Sequence, residues 1–205
     1  TLLAGAATNR QVVLMDPNQD GIQQIATVLA NTGVQFDAVH ILSHGQDAQV
    51  TLGNTVLSDG NLDRYTPLLT QWGRSITPDG DILFYGCNVG EGEQGETFVN
   101  RVAAITGADV AASEDLTGAA SRGGNWVLER TAGAIETSVA FGAAAQESYQ
   151  DILPNSAPTI SNNVNINLSS TNENTTSSTY QVNGTFLTSV GFSDSDGPSS
   201  GLAIT

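Results

Sequence analysis

Residues 80–87, GDILFYGC, decide the fold. Ile82, Leu83, Phe84 and Tyr85 run without a polar break into Gly86 and the chain's one cysteine, Cys87. A strand with one face in water alternates apolar and polar residues, so this uninterrupted run predicts a strand covered on both faces. Such strands belong to a largely parallel sheet with helices packed around it.

The flanking sequence repeats the theme. Upstream, VVLMD (12–16) and DAVHILSHG (37–45) read as strands, and the spacing of Ile22, Ile25, Val28 and Leu29 predicts a helix over 18–31 with Asn18 as its N-cap. QVTLGNTVLS (49–58) predicts a hairpin turning at Gly53-Asn54. Residues 61–76 place Leu62, Tyr65, Leu68, Leu69 and Trp72 on one helical face, with Pro67 in the first turns or at a kink. Downstream, a helix over 93–107 ends at Gly107 and a strand follows over 108–113. NWVLER (125–130) and AIETSVA (134–140) predict a terminal antiparallel pair. The fold class is therefore α/β over residues 1–153.

After Phe141 the composition changes. Within residues 161–179, 15 of 19 residues are Ser, Thr or Asn, too polar to build a core. Residues 180–197 recover some β-like alternation. The expected organisation is an α/β domain over 1–153, then a polar linker and a partial β-sandwich repeat over 154–205.

Charge narrows the partners. The chain has 205 residues, no lysine, 6 arginines and 21 acidic residues, for a formal net charge of −15. Phosphate recognition needs clustered cations, so nucleic acid and anionic membrane surfaces are not expected partners. No apolar run approaches the roughly 18 to 20 residues that a spanning helix needs, so no membrane insertion is expected. One cysteine leaves no internal disulfide to form.

Parallel sheets gather functional groups where their strands end. Two strands end in Ser43-His44-Gly45 and Tyr85-Gly86-Cys87, which sets His44 beside Cys87 if the strands are neighbours. An imidazole beside a thiol can take its proton, and the thiolate then attacks a carbonyl. The amides around Gly45, Gly86 and Cys87 suit an oxyanion hole, and a helix start near Glu93 would lower the thiol pKa. The plain alternative is a small apolar side chain buried in the core.

AVHILSHG and DILFYGC resemble the paired signatures of caspase-like cysteine peptidases, a group that includes caspases, gingipains, legumains and separases. The resemblance implies a three-layer α-β-α sandwich. It implies His44 as general base and acid, Cys87 as nucleophile, and the amides of Gly45 and Cys87 as oxyanion hole. VVLMDPNQDGIQQI, HILSHG, GDILFYGCNVG and TGADVAASEDLTGAASRGGNWVLE resemble domain of unknown function 4347, found near the N-termini of very large bacterial surface and secreted proteins. The stretch from NSAPTI to GLAIT resembles the start of a cadherin-like or immunoglobulin-like repeat.

These resemblances imply a self-processing cysteine endopeptidase of a secreted or cell-surface, adhesin-like protein, with a peptide substrate that includes its own chain. The alternative is a non-catalytic secretion, anchoring or adhesion module with an inert cysteine. They also imply a sheet strand upstream of Thr1, so either a separate N-terminal fragment is expected to fill a gap beside the His44 strand or the chain is expected to have been cut just before Thr1.

No cofactor is required by this chemistry, while calcium has two candidate sites. Asp16, Asn18 and Asp20 stand at alternate positions before Gly21, like the opening of a calcium loop, but Thr27 occupies the place of its bidentate glutamate. Asp194 and Asp196, in SDSDG (193–197), form the second candidate. His40 is on the same strand face as His44 but about 13 Å away, too far to share an ion, and reads as core. Trp72 and Trp126 read as packing residues. Asp47, Glu114, Asp115 and Arg122 stand in loops near the strand ends without a defined role.

Overall fold

The computed structural model describes residues 11–153 and the backbone of residues 201–204, all within one compact unit. The first five strands in chain order are β1 (Gln11–Leu14), β2 (Phe36–Leu42), β3 (Gly45–Gln46), β4 (Gln49–Leu52) and β5 (Thr55–Ser58). They are followed by β6 (Ile76–Tyr85), β7 (Asp109–Ala112), β8 (Arg130–Ala132) and β9 (Gly201–Ile204). The helices are α1 (Gly21–Thr32), α2 (Leu62–Arg74), α3 (Gly92–Thr106) and α4 (Ala143–Ser148). The main sheet has the order β1-β9-β2-β6-β7-β8, and β3-β4-β5 form a small second sheet. Strands β2, β6 and β7 are parallel neighbours.

The uninterrupted apolar runs are explained by two separate cores. Val39 and Ile41 of β2, Ile82 and Phe84 of β6, and Val110 and Ala112 of β7 face a core shared with α1, α2 and α3. Their alternates, Ala38, Leu42, Leu83, Tyr85 and Ala111, face Trp126, Phe141 and Ala145 of α4 on the other side. Period-two alternation is intact, but both faces are dry, giving a three-layer α/β sandwich. Each large side chain so buried contributes about 1.5–3 kcal/mol. Trp72 is fully buried and donates its indole N–H to the Ile22 carbonyl at 3.2 Å, joining α2 to α1. His40 is core, fully buried with Nδ1 3.1 Å from the Tyr85 hydroxyl. No described helix is long and apolar enough to cross a membrane.

Several elements differ from their sequence reading. Asp20, not Asn18, caps α1, because its Oδ1 accepts from the amides of Ile22 and Gln23. The hairpin turns at Gly53 (φ 58°) as expected and gains β3 as a third strand. Pro67 lies in the second turn of α2, within the first turns as expected. Residues 134–140 do not form a strand. Instead β8 pairs with β7, and backbone amides at Ala134, Thr137 and Ala140 donate to side chains of Asp109, Asp81 and Tyr85. Local alternation cannot distinguish a strand from a segment whose amides are satisfied by side chains.

The place between β1 and β2, where a separate N-terminal fragment was expected, is taken by β9 of the same chain, antiparallel to both neighbours. Any extended segment with free amides and carbonyls satisfies two open strand edges, and this one arrives from the C-terminal side. The expected linker and partial β repeat, with the Asp194 and Asp196 calcium candidates, otherwise lie outside the described residues.

Gly73, in the last turn of α2, marks the closest helix approach: a Cβ there would fall 1.8 Å from the Thr106 carbonyl oxygen at the end of α3. Gly to Ala in a helix ordinarily stabilises by about 0.5–1 kcal/mol. Here Gly73→Ala is expected to reverse that sign and destabilise by about 1–3 kcal/mol through overpacking, read by urea unfolding.

Candidate functional site

The pairing of β2 with β6 continues past the strands: the Ser43 amide donates to the Tyr85 carbonyl at 3.2 Å. It brings SHG and YGC together at one sheet edge. A Cβ on Gly86 would sit 2.9 Å from the Ser43 carbonyl oxygen and 3.2 Å from Gly45 Cα. A Cβ on Gly45 would meet Val89 Cγ2 at 2.3 Å and the Cys87 carbonyl oxygen at 2.9 Å. The two glycines are thus needed for the strand ends to approach at all. After Cys87 the chain turns sharply through Asn88, at φ 62°, a left-handed conformation that asparagine tolerates. The Asn88 side chain donates to Glu91 at 2.7 Å, and α3 then begins at Gly92.

His44 is half-buried, and its Nδ1 is buried without a hydrogen-bond partner among the described residues. Cys87 is 1 % exposed. Its Sγ accepts from the Thr117 amide at 3.2 Å, and the thiol faces the Thr117 carbonyl at 3.8 Å. No hydrogen bond joins Cys87 to His44 among the described residues.

Residues 151–153 lie antiparallel along 117–119. The Ala119 amide donates to the Asp151 carbonyl at 2.7 Å, and the Leu153 amide donates to the Thr117 carbonyl at 2.9 Å. This pairing closes over the thiol. Burial therefore pushes the Cys87 thiol up, outweighing the amides of Thr117, Leu153 and Cys87 itself, which favour thiolate. The sequence expectation of a depressed thiol pKa is corrected here, because desolvation exceeds every stabilising dipole. The Tyr149 hydroxyl, half-buried nearby, is pushed up to about 12 by burial and by the charges of Asp151 and Cys87.

A cavity of about 450 Å³ begins one residue beyond Thr117, lined by Gly118, Asn125, Trp126, Gln146 and Tyr149. Trp126 forms its wall and also stacks edge-on with Phe141 and Tyr149. The loop residues Asp47, Glu114, Asp115 and Arg122 do not line it. Asp115 instead holds the Asn125 side chain at 2.9 Å, Glu114 pairs with Arg130, and Arg122 pairs with Asp151 at 3.4 Å. Thr117, Tyr149 and Leu153 carried no sequence signal, since two of the three meet the thiol through backbone atoms.

The calcium-like loop spends its oxygens locally. Asp16 Oδ1 accepts from the Asn18 amide at 2.9 Å, and Oδ2 from Gln19 at 2.7 Å. The Asn18 amide above all, then the Gln19 side chain, holds the Asp16 carboxyl below its ordinary value. Asp20 is occupied as the α1 cap. Among the described residues, the one acidic group that could hold a metal is Asp81, Asp109 and Glu136. The sequence did carry a signal for it: Asp81 stands directly before the apolar run of β6.

Two outcomes follow for Cys87. Labelling of the native thiol by 5,5′-dithiobis(2-nitrobenzoate) is expected to be slow at pH 8 and to accelerate on unfolding in urea. Because the folded pKa is raised, the unfolded chain releases the proton first. Stability is then full below the ordinary thiol range and falls as pH climbs from that range toward the raised value. Cys87→Ala should flatten that alkaline decline, measured by urea midpoints between pH 7 and 10.

No curated protein and no solved structure matches this chain. A family model described as Domain of unknown function (DUF4347) matches residues 1–153. The span holds both strand ends, the covering segment and the buried thiol, and the chain belongs to the DUF4347 family.

Proposed function

We propose that this domain is a latent cysteine endopeptidase of caspase-like type, part of a large secreted or surface-anchored, adhesin-like bacterial protein, and that it cuts its own polypeptide. The observation that carries this reading is the close approach of SHG to YGC, at the edge where Cys87 emerges and where His44 Nδ1 is buried with no hydrogen-bond partner among the described residues. In the reaction, His44 takes the Cys87 proton as Sγ attacks a peptide carbonyl carbon. Amides at the strand ends, around Gly45, Gly86 and Cys87, hold the developing oxyanion. The C–N bond breaks as His44 returns the proton to the departing amine. Water then attacks the thioester, giving a proton to His44, and the thiol is regenerated with release of the acid.

The latency follows from the covered thiol. Residues 151–153 must leave the 117–119 segment before a peptide can reach Sγ. That pairing is short and lies next to residues that continue the chain, so a local opening suffices. A second reading, a non-catalytic secretion or anchoring module, is favoured by the burial of Cys87 and its raised pKa.

The two readings diverge in the full-length parent protein. Under the first, incubation yields new chain termini by mass spectrometry, Cys87→Ala abolishes them, and His44→Ala slows their appearance by about 10²–10⁴-fold. Cleavage that persists in Cys87→Ala, or the absence of any cleavage together with thiol labelling indifferent to His44→Ala, assigns the module role instead.

A further inference from the structure

A second constellation lies at the opposite edge of the sheet, about 20 Å from Cys87 by strand length. Asp81 and Asp109 are directly opposite each other on the parallel strands β6 and β7. With Glu136 from the following loop, their carboxylate oxygens come within 4.8 Å of one another. Asp81 is completely buried. Its Oδ2 accepts from the Thr137 amide at 2.9 Å, while its buried Oδ1 receives no hydrogen bond among the described residues.

Electrostatics makes this arrangement costly as it stands. Like charges directly opposite in a sheet repel, and a buried carboxylate oxygen without a donor bears its desolvation uncompensated. The ion pairs among the described residues do not relieve it: Arg101 pairs with Asp59 and Asp63, Arg122 with Asp151, and Arg130 with Glu96 and Glu114. A small cation between the three groups answers both problems at once.

The surroundings have the form of a built site. The Ala134 amide donates to Asp109 Oδ2 at 3.1 Å, as Thr137 does to Asp81, so one loop orients both carboxylates from outside. Gly133, at φ 94°, makes room for them: a Cβ there would fall 1.8 Å from Asp109 Oδ1. Glu136 is exposed, which leaves an entry path and positions for water. The donors are oxygen alone, which selects a hard cation over zinc or copper. Three carboxylates from separate segments, open to water on one side, suit the flexible coordination of calcium better than the strict octahedron of magnesium.

We propose that Asp81, Asp109 and Glu136 bind a calcium ion that ties the 133–137 loop to the middle of β6 and the start of β7. The site is independent of the Cys87 reading and serves the sheet rather than the reaction.

Protein stripped with EDTA is titrated with calcium, and with magnesium in parallel, by calorimetry, and its thermal unfolding is followed at each concentration. Calcium at a hundredfold over its dissociation constant is expected to raise the melting temperature by about 5–10 °C. Glu136→Gln and Asp109→Asn should each weaken calcium binding by about tenfold or more. Asp47→Asn, an exposed change far from the triad in sequence, should leave it unchanged. In EDTA, Asp109→Asn should be no less stable than the wild type, since it removes a repulsive charge and keeps its acceptor for Ala134. Absence of calcium binding, a preference for magnesium, or equal calcium response in all three variants would overturn the proposal.

Discussion

The two-sided burial of β6 is the constraint on which the rest of this molecule depends. Ile82 and Phe84 enter the core beneath α1, α2 and α3, and Leu83 and Tyr85 enter the core beneath α4. A strand with no wet face has its register fixed twice, since a slip of one residue would exchange the contents of both cores. That register passes to β2 and β7 through parallel ladders from Ala38 to Leu42 and from Asp109 to Ala112. It also determines which residues leave the sheet together at either end.

At one end the consequence is the apposition of Ser43-His44-Gly45 with Tyr85-Gly86-Cys87. The two backbones come so close that neither glycine can carry a side chain without displacing the other strand end. The same closeness puts Cys87 under the 117–119 segment, which in turn is paired with 151–153. Burial of the thiol is thus set by tertiary pairing, not by the apolar run that precedes it. At the other end of the β6–β7 ladder the register sets Asp81 opposite Asp109 and concentrates negative charge there. A net charge of −15 with no lysine leaves few cations to distribute, and among the described residues the ion-paired arginines, Arg101, Arg122 and Arg130, serve other carboxylates.

Much of the fold was legible because its signals are local. The GDILFYGC run, the helical spacing through Ile22, Ile25 and Leu29, and the turn at Gly53 each act over a few residues. The α1 cap was misplaced by two residues because Asn18 and Asp20 are equally good caps in sequence. Only their geometry distinguishes them: Asp16 draws Asn18 into its own turn, leaving Asp20 to cap the helix. Residues 134–140 alternate like a strand, yet their amides reach Asp81, Asp109 and Tyr85, acceptors up to 56 residues distant. No periodicity can announce a partner that far away.

The sequence by itself determined the α/β class, the order of most elements, the two-sided burial of β6 and the positions of His44 and Cys87 as strand-end residues. These follow from periodicity, turn chemistry and the placement of single residues in apolar runs. Tertiary structure alone decided that Thr117 and Leu153 enclose the thiol, that its pKa rises instead of falling, and that Asp81, Asp109 and Glu136 converge. Such facts depend on which remote segments meet, and desolvation and charge proximity are properties of that meeting. The same holds for β9, since an open edge between β1 and β2 selects hydrogen-bonding backbone from wherever the chain can deliver it.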